Sequence, residues 1–229
     1  SFQKVPYEDD RNPVFAIKNS NKRFVSINIK SEVGREAIMK LLSDADVFLT
    51  NVRGASLKRN GLDYETLKEK FPRLVYAHFT GYGPKGPDAN DPGFDSTAFW
   101  LRSGGQNEWQ VKGAYPFKPT YAFGDMATSS TFLAGILMAL YGREKTGRGT
   151  KVETSLLASG IWCNATGIVA TQFERKHLNP DPENRTDPLS EYYMCKDGRW
   201  IMVCENEYKR DKDKYFKVLG LDYLIGDPR

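Results

Sequence analysis

Leu74-Val75-Tyr76-Ala77-His78-Phe79, running straight into Thr80-Gly81-Tyr82-Gly83-Pro84, is the stretch from which the fold is read. A short, mainly apolar run that halts at a Gly/Pro turn cluster has the pattern of a buried strand. Upstream, Asp46-Val47-Phe48-Leu49-Thr50 has the same character, and Phe24-Val25-Ser26-Ile27-Asn28-Ile29 alternates as a strand does. Helical patterns separate these segments. Ser31 is placed to cap a helix over Glu32 to Ser43 with Ile38, Leu41 and Leu42 as its apolar stripe, and Asp63 to cap another within Leu62 to Phe71. Strands alternating with helices predict an α/β fold built on a parallel sheet. Ligands of such open sheets collect at the carboxyl ends of the strands, where the Gly-rich turn after Phe79 lies.

Beyond that turn, Gly83 to Phe123 is loop-rich, with a helix expected near Ser96 to Arg102. Two runs without charge follow, Met126 to Gly142 and Thr154 to Phe173. Ser, Thr, Asn and Gln dilute both of them, so they read as core helices rather than membrane spans. A brief strand is expected at Lys151 to Thr154. A Pro- and Asp-rich linker covers Asn179 to Pro188. Glu191 to Cys195 and Trp200 to Cys204, joined by Lys196-Asp197-Gly198-Arg199, predict a hairpin, and Tyr208 to Leu219 a charged amphipathic helix. Residues 1–178 thus read as one large domain, and 179–229 as the start of a smaller α+β domain.

Composition narrows the function. Of 229 residues, 40% are apolar and 27% charged, the balance of a soluble globular protein. A net charge of +4 with no block of like charges gives no reason to expect nucleic acid, and suits an anionic small molecule. The three cysteines, Cys163, Cys195 and Cys204, have no CxxC spacing, and only two histidines are present. Neither a disulfide framework nor a metal site is expected. Cys163, in an apolar helical run, is expected to be buried. No leader is visible at the start, and a reduced cytoplasmic setting away from membranes is expected. No GxGxxG and no P-loop follows a strand, which leaves a dinucleotide or nucleoside triphosphate site unsupported.

Asp125 stands out chemically. It follows Gly124 and precedes Met126-Ala127-Thr128, where the first uncharged run opens. Asp is a favoured helix N-cap, which is one reading. In the other, a helix start stabilises the carboxylate, the neighbouring glycine admits a substrate, and Asp125 acts as a covalent nucleophile. Gly147-Arg148-Gly149 reads either as an anion-binding loop or as a solvated loop after a helix ending at Gly142. Ser155 and Ser159 have no neighbouring His base, against a serine hydrolase.

Taken in order, these segments resemble the class III CoA-transferase family. The resemblance is carried by Asn21-Lys22-Arg23, Ile29-Lys30-Ser31-Glu32-Val33-Gly34-Arg35, Ala45-Asp46-Val47 and Arg59-Asn60-Gly61-Leu62. It continues through Pro72-Arg73-Leu74-Val75-Tyr76, Gly81-Tyr82-Gly83, Gly93-Phe94-Asp95 and Gly124-Asp125. Arg143-Glu144-Lys145-Thr146-Gly147-Arg148-Gly149 and Lys196-Asp197-Gly198-Arg199 complete it. The resemblance implies a Rossmann-like large domain that binds coenzyme A, and a homodimer of interlocked ring-like subunits. It also implies that this chain lacks the family's first strand and its C-terminal return segment. Asp125 is the implied nucleophile, and Lys30, Arg59, Phe94 and Gly124 the implied coenzyme A contacts. Acyl-CoA is the substrate, a carboxylic acid the acceptor, and no metal takes part. The overall likeness favours 2-hydroxy acids as acceptors. The absence of a glycine run across 184–190 argues against formate and small dicarboxylates. An acyl-CoA racemase on the same fold is disfavoured because Phe94 stands where those enzymes place a histidine. A non-catalytic CoA-binding scaffold is the remaining alternative. Phe99, Trp100 and Trp109 either line an acyl pocket or pack the core.

Overall fold

The computed structural model describes residues 13–119, 121–173, 181–184, 187–205 and 207–227. The chain divides into two compact units that interleave in sequence. One takes the chain through Gly93 together with Met126–Leu156; the other takes Phe94–Asp125 and the chain from Leu157 onward.

The first unit is built on three parallel strands, β1 (Val47–Thr50), β2 (Val75–Thr80) and β3 (Lys151–Ser155), in that spatial order. Val47 pairs with Val75, and Tyr76 with Lys151. Side chains alternate between the faces of a sheet, and both faces are covered. On one side lie α2 (Glu32–Ser43), α3 (Gly54–Arg59) and α4 (Tyr64–Lys70). Leu42, Leu57, Leu62 and Leu67 close there on Leu74, Tyr76 and Phe48. On the other side α6 (Phe123–Thr146) brings Phe132 and Ile136 onto Ala77, Val47, Phe79 and Val152. Two of these helices start where side-chain oxygens accept otherwise orphaned N–H groups. Ser31 accepts from Gly34, and Asp63 from Thr66.

Tyr76 ties the sheet to the α3–α4 connection, its buried hydroxyl donating to the Leu62 carbonyl at 3.0 Å. Burial, then the charges of Asp63 and Glu153, push its phenol from 10.0 up to about 12. The folded state therefore holds this proton more tightly than the unfolded chain. The associated stability is complete below pH 10 and fades as pH rises towards 12. Tyr76→Phe is expected to cost about 1–2 kcal/mol, because the Leu62 carbonyl is left without its buried donor. Urea unfolding at pH 7 measures this, and the same titration above pH 10 should show a shallower alkaline loss than the wild type.

The second unit contains a π-helix (Asp95–Leu101), α5 (Gly105–Glu108), α7 (Leu156–Cys163, entering the unit at Leu157) and α8 (Ala165–Thr171). It also holds the hairpin β4 (Tyr192–Met194) and β5 (Trp200–Met202), and α9 (Tyr208–Val218). The turn predicted between β4 and β5 is present, with Gly198 at φ 80°. α7 lies so close to the π-helix that a Cβ on Gly160 would fall 2.4 Å from the Phe99 carbonyl oxygen.

Several expectations are corrected. Phe24 to Ile29 forms no ladder, because none of the described residues pairs with it, and Ile29 already lies in a turn closed by the Ser31 N–H on the Asn28 carbonyl. Phe24 instead stacks on Phe15 of α1 (Pro13–Asn19) at 5.7 Å and remains largely exposed. Pro13 opens that short helix. α6 does not stop at Gly142. It continues to Thr146 and ends at Gly147, whose φ of 71° suits glycine and whose N–H donates to the Arg143 carbonyl at 2.8 Å. Cys163 is exposed, because α7 turns Ser159 and Gly160 inward and its last residues outward. α6 is a core helix on one side only. By length and composition it could cross a membrane, yet Phe132, Ile136 and Ala139 are buried while Leu133, Leu137, Met138 and Tyr141 are exposed.

Candidate active site

Asp125 is the third residue of α6, in its first turn rather than at the cap, and is half-buried. The first N–H groups of a helix have no partner within it, and that of Asp125 donates to Oδ2 of Asp95 at 3.0 Å. Asp95 opens the π-helix, is only 8% exposed, and lies thirty positions upstream. Backbone N–H groups after Gly124 are natural candidates for stabilising an oxyanion. The Asp125 N–H is already committed to Asp95, so it is not such a donor.

The π-helix also reaches Gly124. A Cβ there would fall 2.3 Å from Cγ and 2.7 Å from Cβ of Phe99. Phe99 is buried and sits edge-on to Trp100 and Phe123 at 5.5 and 6.4 Å. Trp100, 3% exposed, is boxed in by Trp109, Phe117 and Phe123. Phe99 and Trp100 therefore pack the core of their unit, whereas Trp109 is about half exposed. Just before the helix, Ala122 is buried in the left-handed region at φ 55°. For a residue with a Cβ that conformation costs about 1–2 kcal/mol, so the entry into α6 is held in place by its surroundings. Phe94, N-terminal to the π-helix, is 67% exposed, and its N–H donates to Thr97 Oγ1 at 3.0 Å.

Lys30 and Arg59 belong to the first unit, and both are exposed. Arg59 ends α3 and lines an open depression of about 490 Å³ with Arg35, Lys70, Glu32 and Glu36. Lys30 does not line it; its carbonyl accepts Arg35 Nη1 at 2.9 Å. The structure thus groups Arg59 with Arg35 and Lys70, two cations that their sequence setting does not single out. Gly147-Arg148-Gly149 is not an anion nest. Its three N–H groups donate to the Arg143 carbonyl, Thr146 Oγ1 and the Pro72 carbonyl. Gly149 is needed there because a Cβ would meet the Leu74 carbonyl oxygen at 2.1 Å.

A second cavity, about 130 Å³, lies on the first unit's sheet beside the carboxyl end of β2. Its polar wall was not foreseen from sequence. His78, Glu153 and Lys151 share one face of the sheet. His78 Nε2 is 2.9 Å from the Val52 carbonyl oxygen, and Lys151 Nζ is 2.6 Å from Glu153 Oε1. The only signal for it is the pairing register, which sets His78 opposite Glu153. Among the described residues, no three His, Cys, Asp or Glu side chains converge as a metal site would require.

Comparison with known proteins gives the family. Residues 2–229 match CoA-transferase family III. The chain is 40% identical over 226 residues, 99% of its length, to the (R)-2-hydroxy-4-methylpentanoate CoA-transferase of Clostridioides difficile. It is 39% identical over 227 residues, 98% of its length, to the cinnamoyl-CoA:phenyllactate CoA-transferase of Clostridium sporogenes. It spans 56% and 55% of those two proteins, about half the length of the curated relatives it matches. A CAIB/BAIF family protein from Brucella suis has the same fold, with a TM-score of 0.74 at 28% identity over 92% of this chain and 55% of that one. The α/β architecture, the parallel sheet and the match along nearly the whole sequence lead to one conclusion: the chain belongs to CoA-transferase family III.

Proposed function

We propose that the protein moves coenzyme A from an acyl-CoA donor to a carboxylic acid, with a 2-hydroxy acid as acceptor and Asp125 as the nucleophile. The observation that carries this is the setting of Asp125. It is a half-buried residue in the first turn of a 24-residue helix, anchored through its backbone. The positive end of the helix attracts negative charge. The named activities of the two bacterial relatives support the substrate class, since one acts on a 2-hydroxy acid and the other on phenyllactate.

The Asp125 carboxylate oxygen attacks the acyl carbonyl of the donor. The carbon–sulfur bond breaks, CoA thiolate leaves, and a mixed anhydride remains. The thiolate attacks the aspartyl carbonyl carbon, giving an aspartyl-CoA thioester and releasing the donor acid as its carboxylate. The acceptor carboxylate then displaces the thiolate to form a second anhydride. Thiolate attack on the acceptor's acyl carbon yields the new acyl-CoA and restores Asp125. No proton or electron is gained or lost over the cycle. Direct exchange between a thioester and a weakly nucleophilic carboxylate is divided into easier steps.

In this reading the charges of Lys30 and Arg59 face the phosphates of coenzyme A, while Phe94 and Gly124 lie along its thiol arm. Metal has no role. The apolar outer side of α6 is consistent with an interlocked homodimer in which other chain covers Leu133, Leu137 and Tyr141. Three free cysteines suit a reducing compartment, and the cytoplasm is assigned on that ground.

The test is a trap. The intact protein is incubated with hydroxylamine and, in turn, acetyl-CoA, 4-methyl-2-pentenoyl-CoA and cinnamoyl-CoA. Inactivation that needs both reagents, with a hydroxamate mapped to Asp125, is the expected outcome. Full activity retained with every donor would exclude an aspartyl-CoA intermediate.

A further inference from the structure

We infer that Asp95 is a positioning residue for Asp125: it fixes the nucleophile by its backbone rather than by touching substrate. The inference rests on the reading of Asp125 as nucleophile and adds to it a residue that reading does not require.

A carboxylate that is 8% exposed is costly to bury unless it is hydrogen-bonded. One bond it makes is to the N–H of Asp125, at 3.0 Å. That N–H is at the positive start of α6, where a charged acceptor is strongest. The cap is unusual in its range. Helix caps normally come from the residue just before the helix, and here the acceptor comes from another helix thirty positions away. The same π-helix supplies a second hold, because the Phe99 ring fills the space beside Gly124. Two consecutive residues, Gly124 and Asp125, are therefore pinned by one element, at the α-carbon of the first and the amide of the second. Ala122, in its left-handed conformation two residues earlier, marks a backbone that would relax elsewhere without these holds.

Loss of the acceptor should let the first turn of α6 shift or fray while the rest of the helix stays packed through Phe132 and Ile136. A displacement near 1 Å at a reacting group costs on the order of 100-fold in rate. Substrate binding, made elsewhere, should change little. The role thus predicts a kcat effect without a matching KM effect.

The experiment compares wild type, Asp95→Asn and Asp95→Leu in the intact protein, using whichever acyl-CoA of the trapping panel inactivates the wild type fastest. Asn keeps an acceptor oxygen in place; Leu has similar volume and none. Expected results are a roughly 30- to 100-fold loss of kcat for Asp95→Leu with KM within about threefold, and a loss below about fivefold for Asp95→Asn. The rate of CoA-adduct formation, followed by mass on the folded fraction, should fall in parallel with kcat. That separates positioning from a loss of folded protein. Equal kcat for the two variants, or a loss expressed in KM, would overturn the role while leaving Asp125 as nucleophile. A wild type that forms no adduct with any donor would remove the nucleophile, and the positioning role with it.

Discussion

Asp125→Asn is expected to lower CoA transfer by at least about 10³-fold, with the fold intact, because in the proposed mechanism the group removed makes and breaks bonds in every step. The amide matches the carboxylate in shape but is a far weaker nucleophile, so neither anhydride nor thioester can form at a useful rate. The structure indicates why folding should tolerate the change. The side chain is half-buried, and the backbone N–H of residue 125, not its carboxylate, makes the bond to Asp95. The placement of a charge at a helix start contributes about 0.3–1 kcal/mol to stability. Steady-state transfer from cinnamoyl-CoA to (R)-2-hydroxy-4-methylpentanoate and to phenyllactate reads the first effect, and thermal unfolding the second. Asp125→Ala should behave alike. Retention of a tenth of wild-type activity in either variant would remove Asp125 from the chemistry.

Gly124→Ala is the second large effect, and it acts through packing. The added methyl would lie 2.3 to 2.7 Å from three atoms at the base of Phe99. Those atoms cannot swing aside as the tip of a long side chain would. Phe99 is buried, wedged between Trp100 and Phe123, and its carbonyl oxygen lies against Gly160. Overpacking of this kind costs about 1–3 kcal/mol. The cheaper response is for the start of α6 to move, and that displaces the neighbouring Asp125. Activity should fall on the order of 100-fold, with a larger drop in melting temperature than Asp125→Asn shows. Combining Gly124→Ala with Phe99→Leu, which shortens the obstructing ring, should recover part of the rate. A single variant with unaltered kcat and stability would show that the two side chains are not in the contact described.

Local chemistry made much of the fold readable. Ser31 and Asp63 were identifiable as caps because a cap needs only its own helix, three residues on. β2 was readable because its apolar run ends at a glycine turn. Phe24 to Ile29 shows the limit: alternation describes a face, but a strand exists only if a second chain segment pairs with it. Gly142 shows another. A glycine within a helix costs only about 1 kcal/mol, and packing of α6 across the sheet outweighs that. At the site, Asp125 was conspicuous because it stands where a charge-free run begins. Its link to Asp95 was not, because nothing in either segment points thirty residues along the chain. Gly124 announced that a small residue is wanted beside Asp125; that Phe99 fills the space is a tertiary fact.

The glycine pair closing the turn after β2 has a practical use. A Cβ on Gly81 would fall 2.5 Å from the α-carbon of Gly93, and one on Gly93 2.6 Å from that of Gly81, so the backbone nearly touches itself on either side of residues 82–92. A loop whose ends are already joined can grow with little added entropy. Gly86, solvent-facing at φ 95° with open space where a side chain would stand, is accordingly the place to splice in an epitope or a fluorophore-labelling peptide.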